Sequence, residues 1–228
     1  MSEEVRSTTV LLVGAMLVKL SIGGAYARYV RAGMGLWILA AGILLAAVGL
    51  IGVVRALAGH QHDHDHGHVH NDRIGWLLLA PVLALLLVTP PSLGSFGVSR
   101  SNGVSVSSGG KVFPSLTAGR SATLTLLEFD ERVADHDGAS FGGVPVKLTG
   151  FVSRTSDGGG FQIARYQIAC CAADATAYAV RITGTAGTPP ARDQWVTVTG
   201  TFQKSADGIP TLRASTLAEI AAPEDPYE

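Results

Sequence analysis

Two clusters of side chains in this chain have the types and spacing for metal chemistry. The first is the segment GHQHDHDHGHVHND, where His60, His62, His64, His66, His68 and His70 fall on every second residue, with Asp63 and Asp65 between them. Neutral imidazole is the commonest metal ligand near physiological pH, and carboxylates add charge. Alternation puts all six rings on one side of an extended chain and gives no helical face. The spacing therefore describes a flexible chelating tract for a divalent transition metal, with Zn²⁺ first in view, and not a preformed site. Affinity order alone favours Cu²⁺ over Zn²⁺, so the metal stays open. A solvated loop that binds nothing is the other reading.

The second cluster is Cys170-Cys171-Ala172-Ala173-Asp174, which holds the only two cysteines of the chain. Adjacent cysteines can close only a strained eight-membered disulfide ring. As thiolates they can instead hold a soft or borderline metal, with Asp174 supplying an oxygen. A strand would send the two side chains to opposite faces, so both reach one ion only if the strand ends there. His136, the one histidine outside the tract, could complete such a set. Plain packing and a vicinal disulfide remain alternatives. No Ser/His/Asp or Cys/His spacing supports nucleophilic catalysis, so the expectation is a protein without enzymatic activity.

What must position these clusters is mostly membrane. The chain has 228 residues, with only 15% charged and a net charge of -1. Residues 1–94 are dominated by apolar runs and residues 121–228 read as a soluble domain. Met34 to Val54 carries no charge in 21 residues, and a helix needs about 20 to cross the hydrocarbon core. A second span is expected over 8–27, with Lys19 near its middle, a costly place for a cation. A third is expected over 74–93, with Trp76 at its interface and Pro81 inside it. The His tract, 60–70, is then the loop between spans two and three. Gly42, Ala46 and Gly49 form a stripe that lets another helix approach closely. That stripe fits packing within this chain or association with another chain, a second copy included. Three helices with one internal Lys make an anchor or accessory subunit a better reading than a channel. The arginines flanking the spans balance, and the Ser/Thr/Gly-rich composition of the C-terminal domain favours an extracytoplasmic place for it.

Residues 95–120 are Ser- and Gly-rich and read as a linker. A short helix is expected within 121–133. Strands follow over 144–152, 161–168, around 178–182, over 195–202 and over 211–220, with a bulge expected where the apolar phase slips between Ile163 and Tyr166. Val146 to Val152 (VKLTGFV) and Val196 to Phe202 (VTVTGTF) share one frame with a mid-strand Gly. Glycine inside a strand marks a bend or a close backbone approach, and small closed barrels need both. The expected fold is a three-helix transmembrane anchor followed by an all-β, OB-like small barrel. Nucleic-acid binding by such a barrel needs a basic groove with stacking aromatics, and the sparse, acid-interspersed Lys and Arg speak against it.

Taken together, two apolar spans, a His-rich loop, a third span ending in TPPSLG, and the blocks GVPVKLTGFV, FQIARYQIACCAADA, DQWVTVTGTF and PEDPYE resemble the YcgQ-like family of bacterial permease subunits. The resemblance covers nearly the whole chain. It implies a multi-pass membrane protein of the cell membrane that works beside a predicted permease, often in a metal-related setting. Residue by residue it carries over to Cys170, Cys171 and Asp174, and to Gly150, Trp195 and Gly200 as barrel positions. The functional expectation is an accessory subunit in metal handling, zinc-like, or else a structural assembly factor that binds no metal.

Overall fold

The computed structural model describes residues 3–58, 80, 83–84, 87–88, 91–98, 112–155, 160–185 and 188–228. The His tract and most of the expected third span lie outside the described residues. The described chain divides into two units, Met1–Pro91 and Ser92–Glu228.

In the first unit, helix α1 (Glu3–Ile22) and helix α2 (Gly35–Leu57) pack on one another. Both are long and apolar enough to cross a membrane. Leu36, Trp37, Leu44 and Leu57 are each more than 60% exposed, a surface suited to lipid and not to water. The first helix sits earlier than the expected 8–27. It ends before Gly23 and Gly24, and Gly24 takes a left-handed φ of 69° that a helix cannot continue through. Lys19 therefore lies in the last turn of α1 and not near the middle of the helix. The small-residue stripe of α2 faces α1. A Cβ at Gly42 would lie 3.0 Å from the Leu17 Cβ and the Val18 nitrogen, and one at Gly49 would lie 2.7 Å from the Leu11 Cα. The stripe is used for packing inside this hairpin.

In the second unit, the order is α3 (Ser95–Val98), β1 (Ala122–Thr123), α4 (Leu126–Ala134), β2 (Val146–Arg154), β3 (Phe161–Gln167), β4 (Thr176–Thr183), β5 (Trp195–Phe202) and β6 (Thr211–Ile220). They make one mixed sheet. Pairings run β2–β3, β3–β4, β4–β6 and β6–β5, and β5 pairs again with β2. β2 pairs along both of its edges. Val146 to Phe151 pair with β5, Phe151 to Arg154 pair with β3, and Gly150 stands beside the handover.

The expected bulge in β3 is absent, since its registers to β2 and β4 run unbroken. Its apolar phase slips for another reason. Phe161 and Ile163 enter one core, with Val146, Leu148, Val180 and Val198, while Ala164 and Tyr166 enter a second on the opposite face, with Phe151, Trp195 and Tyr227. A regular strand buried first on one side and then on the other shows such a slip without any extra residue. The register shift lies instead between Thr199 and Gly200, where β6 carries Ser215 unpaired and its hydroxyl donates to the Thr199 carbonyl at 3.0 Å.

α4 closes the first core with Leu126 and Phe129, both 0% exposed. Its first amides are all satisfied. The Glu128 N–H donates to the Thr125 hydroxyl at 3.0 Å, and the Leu126 and Leu127 N–H groups donate to the Glu228 carboxylate. Both ends of the expected linker are built into this unit. Ser95 and Val98 are buried, the Ser95 N–H donates to Asp193 at 2.6 Å, and the Arg132 guanidinium donates to the Pro114 carbonyl at 3.0 Å.

Candidate metal centre

β3 ends at Gln167 and β4 begins at Thr176, so Cys170, Cys171 and Asp174 occupy the connection and not a strand. Ile168, 4% exposed, plugs the second core and fixes one end of this turn. The other end is a single turn of 3-10 helix, Ala172–Asp174, capped by Cys171. Because the chain reverses there, adjacent cysteines are freed from strand alternation. One ligand atom from each of Cys170, Cys171 and Asp174 lies within 4.8 Å of the others. Both cysteines are free thiols; Cys170 is exposed and Cys171 half-buried.

The Asp174 carboxylate organises the turn. Its Oδ1 accepts from the Ala169 N–H at 2.9 Å, and its Oδ2 accepts from the N–H groups of Cys170 at 2.9 Å and Cys171 at 3.3 Å. The Cys170 Sγ donates to the same oxygen at 2.9 Å. Bonds from Cys170, thiol first, hold the Asp174 carboxyl at about 2. The same thiol bond pushes Cys170 up to about 11. At neutral pH Cys170 is therefore a proton-bearing thiol and a poor nucleophile. A cation inverts that balance, because thiolate ligation expels the proton and replaces it with a stronger charge.

His136 does not join the cluster. Among the described residues the gathered ligand atoms are those of Cys170, Cys171 and Asp174. His136 lies instead against Asp135, with Nδ1 2.6 Å from Oδ1 and its side chain 76% exposed. It holds a left-handed φ of 47°, as does Asp137 at 56°. The Phe113 N–H first, and His136 second, hold the Asp135 carboxyl below its ordinary value. Sequence alone shows no sign of this arrangement, since the two groups that fix Asp135 come from different segments.

Three further features have only faint sequence signals. The terminal Pro-Tyr-Glu forms a strap: Tyr227 bridges Tyr166 in parallel, and the Glu228 N–H donates to the Tyr166 carbonyl at 2.9 Å. Arg165 grips the strap through the carbonyls of Asp225 and Tyr227, at 2.9 and 3.0 Å, and stacks over Trp195 at 5.6 Å. Elsewhere a cleft is lined by Asp130, Asp137, Phe202, Lys204 and Ile209. Within it Asp137 and Lys204 bond one another at 2.7 Å.

No curated protein matches the chain. Residues 128–228, which carry most of α4, all of β2 to β6, the Cys170-Cys171-Asp174 turn and the strap, are similar to the DUF1980 C-terminal domain, a family of membrane-associated proteins.

Proposed function

We propose that this chain is a membrane-anchored accessory subunit, of the YcgQ-like type, that handles a transition metal beside a permease. The observation that carries the reading is the convergence of three ligand atoms within 4.8 Å on an exposed turn. Sulfur and carboxylate donors suit a borderline or soft divalent ion such as Zn²⁺. The two lipid-suited helices, with 74–93 as a third span, are the anchor. The His tract gathers metal on one side of the membrane, and the C-terminal domain receives or senses it on the extracytoplasmic side. The cyclic strand pairing, the close backbone approach at Gly150 and the parallel β4–β6 pair together support an OB-like barrel for that domain.

One observation favours a second reading. The Cys170 thiol and the Asp174 carboxylate satisfy each other and the turn's amides without any ion. On that reading the turn is a structural cap and the domain is a docking module for a permease.

Metal analysis of the purified full chain separates the two. With the six His of the tract replaced by Ser, bound metal at one per chain that disappears in Cys170→Ser and in Cys171→Ser supports metal handling. Two free thiols and no metal under metal-replete conditions sink it and leave the docking module.

A further inference from the structure

The chain that follows the third expected span is docked and not slack, and this decides which end of the C-terminal domain meets lipid; the inference rests on the three-span anchor of the reading above. Ala84 and Val88 still close a helical turn, with the Val88 N–H donating to the Ala84 carbonyl at 2.9 Å, and Leu83, Leu87 and Val88 are each more than half exposed. Five residues later Leu93 packs against the second core. The Gly94 carbonyl accepts from the Tyr166 hydroxyl at 3.0 Å, and Asp193 holds the Ser95 N–H. Gly97 passes so close to Tyr166 that a Cβ would strike its hydroxyl. Five residues of chain reach at most about 18 Å. Leu93 is therefore tied that closely to a residue that the span reading puts in lipid.

The second core occupies one end of the domain. β5 opens on it with Trp195 and closes against the first core with Phe202, and β6 runs back from Leu212 in the first core to Ile220 on the second. The eight residues of β5 rise by about 23 Å. β3 leaves through Tyr166 and Ile168 of the second core, and β4 returns to it with Ala177. The connection that carries Cys170, Cys171 and Asp174 is thus at the same end as Leu93.

We infer that the second-core end of the domain is a bilayer-facing surface, that Phe96 is its interfacial anchor, and that the Cys170-Cys171-Asp174 turn stands at that surface. Ser95 and Val98 form the buried side of α3, while Phe96 between them is 70% exposed. An aromatic ring this soon after a span belongs at the headgroup level, and taking it out of water there is favourable. The turn between β5 and β6, with Ala206 exposed on it, is at the other end. On the metal-handling reading, the arrangement presents the Cys170-Cys171-Asp174 turn to a permease embedded in the same bilayer.

The test uses the full chain in phosphatidylcholine vesicles. With Cys170→Ser and Cys171→Ser in place, one aromatic fluorophore is attached through Ala84→Cys, Phe96→Cys or Ala206→Cys; Cys171 itself is labelled in Cys170→Ser alone. Lipids with a nitroxide on the headgroup, or at the middle of the acyl chain, quench each label by proximity. The label at position 84 is expected to respond to the acyl-chain nitroxide. Those at positions 96 and 171 are expected to respond to the headgroup nitroxide at least about twofold more than the label at position 206. Phe96→Asp changes an exposed side chain and is expected to lower the response of the Cys171 label. If position 84 responds while positions 96 and 171 respond no more than position 206, the bilayer-facing surface is overturned and the anchor stands. If position 84 does not respond, the third span fails and the surface with it. An unchanged Cys171 response in Phe96→Asp overturns Phe96 as the anchor.

Discussion

Alanine at Gly150 is the sharpest test of how closely β2 and β3 approach. A Cβ there would lie 2.7 Å from the Ala164 carbonyl oxygen, and ordinary contact begins at 3.4 Å. β3 must therefore retreat by about 0.7 Å, and it cannot do so freely. Ala164 is 0% exposed and β3 is held by β2 on one side and β4 on the other. Overpacking of this kind costs about 1–3 kcal/mol, and a stretched ladder hydrogen bond adds about 1. Replacing Gly in a strand returns about 0.5–1 kcal/mol of backbone entropy. The net expectation is a loss of about 2 kcal/mol. With a urea dependence of about 2 kcal/mol per molar, the midpoint falls by about 1 M. Gly160→Ala is the control, because a Cβ there meets nothing within 4 Å; it is expected to be neutral or slightly stabilising. Trp195, 7% exposed, reports unfolding of the full chain in detergent once Trp37 and Trp76 are replaced by Phe. Gly200→Ala, whose Cβ would strike the Arg213 carbonyl oxygen, is expected to behave like Gly150→Ala. If Gly150→Ala unfolds within about 0.5 kcal/mol of Gly160→Ala, the close-approach argument is wrong.

The His tract is expected to bind Zn²⁺ or Ni²⁺ less tightly as pH falls through about 6.5, because imidazole must be neutral to ligate; equilibrium dialysis in which binding survives replacement of all six His by Ser rules the tract out. Cysteine-accessibility mapping is expected to place the tract and the C-terminal domain on opposite membrane faces, and finding both on one face would mean that 74–93 does not cross. Acid is expected to weaken the C-terminal domain through Asp207. The Ser205 hydroxyl first, then Arg181 and the Ile209 N–H, hold its carboxyl well below the ordinary range. A lowered folded-state value means that stability is present above the unfolded value of about 3.9 and is lost as pH falls below it. Asp207→Asn should flatten the fall of the urea midpoint between about pH 5 and pH 2, and an unchanged slope would refute the assignment.

Much of the scaffold was legible in the residues because it follows from local periodicity. The strands over 195–202 and 211–220 were readable to the residue, since alternation on a half-buried strand is a local property. The charge-free run of α2 likewise needs no partner to declare itself. The glycines of the two V-x-[LV]-T-G frames marked close approach, and both stand against a neighbouring backbone. α1 ends about five residues before the apolar composition does, because Gly24 takes a left-handed φ that a helix cannot continue through. Tertiary structure alone decided the rest. The phase slip in β3 reads as a bulge until the second core is seen on its far face. Cys170, Cys171 and Asp174 were visible as donors, yet their convergence depends on a turn whose ends are fixed by Ile168 and β4. That Asp174 spends its oxygens on amides, while His136 turns to Asp135, follows from hydrogen bonds that no spacing encodes. Residue type states what a side chain can bind; the fold decides which of those bonds are already made.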